Sequence, residues 1–232
     1  MTGDDTGLAI DPTRGGGSIA GLSAPSSTST SLLDAPVPAG GELDDRILAA
    51  ALTLITRWGL GKTTLADVAR EAGCSRATLY RVFPGGKQEL FLALGRAELA
   101  SYFATLVTCI ERAATLEDAL TDVVVEATRG LTGHEALQFV LEREPDIVLP
   151  FLGFHQVDRL YDAASAALGP ALERFLPDTA GWAAEWVARA VLSYAFNPSP
   201  VIDLCTEADA RDLVRRFYLP ALQPQPALAA RP

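Results

Sequence analysis

Between Glu42 and Leu219, apolar residues return every three or four positions, and glycine or proline stops each run. Ile47, Leu48, Ala51, Leu54, Ile55 and Trp58 mark one face of a first helix, which Gly59 and Gly61 end. Thr63 or Thr64 caps a short second helix through Ala72, with Leu65, Val68 and Ala69 facing inward. Gly73 stops it. Ser75 caps a third short helix that runs to about Phe83, with Leu79 and Tyr80 inward. Pro84-Gly85-Gly86 breaks the chain, and Lys87 opens a long fourth helix with Leu90, Phe91, Leu94, Phe103 and Leu106 on its apolar side. The same spacing predicts helices over about 116–131, 134–143, 152–168, 180–196 and 207–219, the last stopped by Pro220. No alternating strand pattern interrupts the series. A chain with only the helical period must bury helix against helix, so the fold class is all-α.

The flanks are different. Residues 1–41 have no apolar period and include Gly15-Gly16-Gly17 and a Ser/Thr run from Ser26 to Ser31, so they read as a disordered arm. Residues 223–232 read as a flexible tail. Between them the breaks divide the chain into a first unit at 42–88 and a second at 89–222. The opening Met1-Thr2-Gly3-Asp4-Asp5 is acidic where a secretory signal is basic, and no apolar run approaches the ~18 residues of a membrane span. The expectation is a cytoplasmic, nucleoid-associated protein that does not engage a membrane.

Charge is distributed unevenly. The whole chain carries −10, which argues against nucleic acid. Residues 46–96, however, hold eight bases against three acids and carry +5, while 1–45 carry −6 and 97–232 carry −9. A basic module inside an acidic protein leaves that module as the surface for a polyanion.

Its centre reads TTLADVAREAGCSRATLYRVF, residues 63–83. Two short helices joined by a tight Ala72-Gly73-Cys74 turn are the grammar of a helix-turn-helix. In that motif the second helix enters the major groove and its first residues meet base edges. Here those are Arg76, Ala77 and Thr78, just after the cap Ser75. Arginine donates to guanine, and alanine or the threonine methyl contacts thymine. Tyr80 and Arg81 follow within reach of phosphates, and Lys87 adds charge to a helix N-terminus. Thr63 and Thr64 offer hydroxyls to a phosphate.

Residues 46–91, RILAAALTLITRWGLGKTTLADVAREAGCSRATLYRVFPGGKQELF, resemble the DNA-binding region of tetracycline-repressor-like (TetR) regulators. The run Thr64–Ala69, Ala72-Gly73, Ser75, Thr78-Leu79-Tyr80, Phe83, Lys87 and Glu89-Leu90 carry the likeness. Cys74 stands where an aliphatic residue is common, Val82 where a polar one often sits, and Pro84-Gly85-Gly86 replaces a more polar turn. The resemblance implies an N-terminal three-helix helix-turn-helix domain followed by a helical ligand-binding and dimerisation domain. It implies a homodimer joined through its last two long helices, on a near-palindromic double-stranded operator with half-sites about 34–36 Å apart. It also implies a repressor released by a small effector. The alternative is an all-α protein-interaction module with a vestigial helix-turn-helix.

Other patterns carry less. Gly59–Thr64 looks like the end of a phosphate-binding loop, but Thr56 stands where its first glycine belongs and no strand precedes it. His134 and His155 lack a second metal ligand. Glu142, Glu144 and Asp146 read as a solvated helix end. No catalytic constellation, metal site or cofactor motif is recognisable, so no enzyme is expected. Phe139, Phe151, Phe154, His155, Trp182 and Trp186 are candidate walls of an effector pocket, with Leu141, Leu160 and Phe175 beside them; the composition favours an apolar effector. Trp182 and Trp186 serve equally well as core or dimer packing.

Overall fold

The computed structural model describes residues 41–146 and 157–222. The expected arm through residue 40, the tail from 223 and the positions Phe151, Phe154 and His155 lie outside the described residues. Among the described residues every regular element is a helix, so the protein is all-α. Helices α1 (Glu42–Lys62), α2 (Leu65–Glu71) and α3 (Arg76–Val82) form a head. Helices α4 (Gly86–Arg112), α5 (Leu116–Thr132), α6 (Glu135–Arg143), α7 (Val157–Leu172) and α8 (Ala180–Phe196) follow; α6 packs on α1 of the head, and the other four make the body. The last segment is α9 (Glu207–Leu213), which runs through a π-helical turn, Val214–Tyr218, into α10 (Leu219–Leu222).

Two apolar cores explain the arrangement. The head buries Ile47 and Leu54 of α1, Val68 of α2, Leu79 of α3 and Phe83 against Leu90 of α4. Helix α6 adds Ala136 and Val140 to the same core. The body core begins further along α4, at Leu106 and Ile110, and takes in Leu120, Val124, Leu168, Val187 and Val214. Thus α4 belongs to both, and the expected boundary near residue 88 falls inside a continuous helix. By length and apolar content α4 also matches a membrane span, yet both of its ends are built into these cores. Helices α7 and α8 pack closely where Gly169 faces Gly181, and Ser165 Oγ donates to the Gly181 carbonyl at 3.0 Å.

The C-terminal helix corrects one expectation. It does not stop at Pro220 but continues to Leu222. Proline lacks an N–H and crowds the preceding turn. The π turn before it has already opened the ladder, with the Leu219 N–H reaching back five residues to the Val214 carbonyl. Arg211 fastens this segment to α5, bonding Glu117 at 2.8 Å and Asp118 at 3.0 Å, and it also bonds Glu207 of its own helix at 2.9 Å. His134 has a structural role. Its Nδ1 accepts from the Leu137 N–H and caps α6, its Nε2 lies 3.1 Å from Glu98 of α4, and that carboxylate raises its pKa. Cys74, Cys109 and Cys205 are free thiols, each half-buried.

Candidate functional site

The helix-turn-helix is assembled by backbone chemistry that the local sequence dictates. Thr64 caps α2, its hydroxyl accepting from the Asp67 N–H at 3.2 Å and donating to Asp67 Oδ2 at 2.6 Å. The Thr64 hydroxyl and the Arg70 guanidinium hold the Asp67 carboxyl below its ordinary range. At the other end of α2, the Cys74 N–H reaches the Ala69 carbonyl at 2.9 Å and the Gly73 N–H reaches that of Arg70 at 3.2 Å. These paired bonds form a Schellman cap, which needs a left-handed residue at Gly73, found at φ 65°. Arg46 of α1 takes the leftover Ala72 carbonyl at 3.0 Å. Ser75 then caps α3 by accepting from the Thr78 N–H at 3.0 Å.

With Leu79 buried beneath it, α3 turns Arg76, Ala77, Arg81 and, contrary to the inward position expected for it, Tyr80 to the surface, and Thr78 is half-exposed. These are the residues that a recognition helix needs on its outer face. Lys87 stands at the start of α4, its Nζ donating to the Gly61 carbonyl at 3.1 Å and lying 5.3 Å from the Phe91 ring. Anchored in this way, the ammonium keeps donors for a phosphate. The Lys87→Ala variant should therefore bind all duplexes more weakly. Its slope of log affinity against log salt should fall by about one, as read by titrations across a salt series.

One expected contact is wrong. Thr63 is fully buried, and its hydroxyl donates to the Gly59 carbonyl at 2.7 Å, so it offers nothing to a phosphate. Of the two adjacent threonines, only Thr64 reaches the surface.

The body holds a narrow cleft of about 40 Å³, partly open to solvent. Phe103 of α4, Val123 and Leu131 of α5, Leu160 of α7, and Val187 and Leu192 of α8 line it. The single phenol there, Tyr102, donates to the Ala127 carbonyl at 3.0 Å, and burial pushes its pKa up, so it stays neutral and engaged. The lining is otherwise apolar.

The expected pocket walls are corrected accordingly. Phe139 packs against Gly59 of α1, where a Cβ would come within 2.8 Å of its ring. Trp186 turns to the C-terminal segment, its ring 4.3 Å from that of Tyr218, and Trp182 stacks on Trp186 at 5.3 Å with half its surface in water. Among the described residues, Leu160 alone of the expected apolar walls lines the cleft. Its other walls come from α4, α5, α7 and α8, at positions that bear only ordinary core patterns in sequence. The acidic cluster also differs from expectation, for Glu144 is bonded to the backbone of Leu60 and Gly61.

Comparison with known proteins agrees with this geometry. Residues 47–94 match the family described as bacterial regulatory proteins, tetR family. An uncharacterised HTH-type transcriptional regulator of Mycobacterium tuberculosis is 28% identical over 191 residues, covering 81% of this chain and 89% of the relative. An uncharacterised HTH-type regulator of Mycobacterium bovis is 29% identical over 99 residues, 43% of this chain and 50% of its own. Among solved structures, the TetR family repressor AlkX of Dietzia sp., implicated in biodegradation of n-alkanes, superposes with a TM-score of 0.58 at 24% identity. It covers 77% of this chain and 98% of AlkX. The fatty acid degradation regulator FadR of Bacillus halodurans gives 0.51 at 17% identity, over 75% and 95%. These two likenesses are of fold.

Proposed function

We propose that this chain, which belongs to the TetR family of bacterial regulatory proteins and is a DNA-binding transcriptional regulator rather than an enzyme, acts as a homodimeric repressor released by a small apolar effector. What supports the reading is the joining, through one helix, of an exposed recognition helix to an apolar cleft: α4 packs under the head at Leu90 and walls the cleft at Phe103. DNA contacts fall to Thr64, Ser75, Arg76, Ala77, Thr78, Tyr80, Arg81 and Lys87. Arg76, Ala77 and Thr78 face base edges, and the others face phosphates. Two such heads related by a two-fold axis read a near-palindromic operator. The protein works in the cytoplasm, on the chromosome.

The cleft favours a hydrocarbon. A ligand whose carbonyl or carboxylate was buried there would lose hydration and find no free donor in the lining, since the Tyr102 hydroxyl already donates to the Ala127 carbonyl. Filling the cleft should therefore separate the two activities. The Leu160→Trp variant is expected to keep DNA affinity and lose release by apolar compounds. Fluorescence anisotropy with the chain's own upstream DNA, a scrambled control and two salt concentrations tests the whole reading. Selective, salt-steep binding that apolar compounds reverse in the wild type supports it. Equal, weak binding to both duplexes defeats it.

A further inference from the structure

Gly59 breaks α1 at φ 85° and has no side chain to cap the turn that follows. Its carbonyl accepts from the Thr63 N–H at 3.3 Å, so a new helical turn begins at residue 60. The first N–H groups of such a turn have no partner within it. Glu144, from the far end of α6, supplies one in trans. Its Oε2 accepts from the Leu60 N–H at 2.7 Å and its Oε1 from the Gly61 N–H at 2.9 Å. The carbonyl of Gly61 is held by Lys87 of α4 at 3.1 Å. The Gly61 peptide is thus gripped on both sides, by α6 and by the start of α4, and Thr64, the cap of α2, lies three residues on. The approach is close: a Cβ at Gly61 would sit 2.8 Å from Glu144 Oε1. Contacts also run from this joint back to the cleft. Gln138 of α6 donates to the carbonyl of Leu131, a cleft wall, at 2.8 Å.

We propose that Glu144 is a positioning residue for DNA recognition: it caps the Leu60–Gly61 turn from α6 and so fixes how α2 and α3 are presented. The proposal rests on the regulator reading above, and it places Glu144 off the DNA. Full-length wild type, Glu144→Gln and Glu144→Ala are compared on the duplex that the wild-type chain enriches from a random pool, and on a scrambled one. Glu144→Ala should bind the enriched duplex about tenfold more weakly, the loss expected for charge-assisted bonds. Glu144→Gln, isosteric and keeping one acceptor, should lose part of that and carries the test should the alanine variant fail to fold. Both should keep the wild-type salt slope and scrambled-duplex affinity, since no phosphate contact is removed. Amide exchange at Leu60 and Gly61 should quicken in both. Wild-type affinity in both variants overturns the proposal, whether or not exchange quickens. A changed salt slope also overturns it, by placing Glu144 in the field of the DNA. A wild-type chain that enriches no sequence overturns the regulator reading itself, which the wild-type arm reveals before any variant is compared.

Discussion

The Arg76→Ala variant is expected to lose about 1–3 kcal/mol of binding to its operator while its affinity for random DNA barely moves. The side chain is the first of α3 and is exposed. Ser75 and the buried Leu79 fix the pitch of that helix, so the removal of Arg76 leaves the head intact. In the major groove a guanidinium matches the O6/N7 edge of guanine with two bonds, which is why its loss discriminates between sequences. A phosphate contact would behave differently, costing every duplex alike and lowering the salt slope. Anisotropy titrations of wild type and variant on the enriched and the scrambled duplex separate the two. Equal losses on both would move Arg76 from the bases to the backbone and leave Ala77 and Thr78 as the readers. The contrast with Lys87→Ala makes the pair informative, because one variant should change specificity and the other the salt dependence.

The head was legible because its determinants are local. A glycine after Ala72 closes a Schellman cap, and Ser75 three residues before Thr78 caps the next helix. Both are short-range bonds that residue type alone selects. Thr63 and Thr64 were not separable on that basis. Which of them turns inward depends on the positive φ at Gly59, and that conformation is held by Phe139 and Glu144 from a distant helix. Glu144 read as a solvated helix end for the same reason: its partners lie 83 and 84 residues away, and no local period encodes them. The cleft fails similarly. Trp182 and Trp186 share a helix face, but a period says only that a face is covered, and here the C-terminal segment covers Trp186. Tyr102, Val123 and Leu131 look like core in sequence, and they become cleft walls only because four helices diverge around them. Pro220 marked a stop that the π turn made unnecessary.

Phe217→Arg is expected to split the proposed dimer. Phe217, on the C-terminal segment, exposes 58% of its surface and Trp182, on α8, 52%. The Trp182 ring stacks on Trp186, which contacts the buried Tyr218 next to Phe217 in the chain, so α8 and the C-terminal segment pack together and each leaves an aromatic side chain in water. Such surface left in water favours association, and a second copy related by a two-fold axis offers the same surface in return. An arginine at 217 would have to shed its hydration in that interface and would be repeated in the partner, so two like charges would be buried together. In a lone protomer the same substitution is exposed and leaves the core untouched. The variant should sediment as a folded monomer at micromolar concentration. The melting temperature should rise with concentration in the wild type and be independent of it in the variant. On DNA the effect is larger than that of any single contact. A dimer binds its second half-site intramolecularly, and uncoupling the heads forfeits that gain, roughly 10²-fold or more in operator affinity. A duplex carrying one half-site should show little change between the two proteins. A variant that remains dimeric with wild-type operator affinity would show that the protomers meet elsewhere, and the exposed aromatic side chains of α8 and the C-terminal segment would then need another partner.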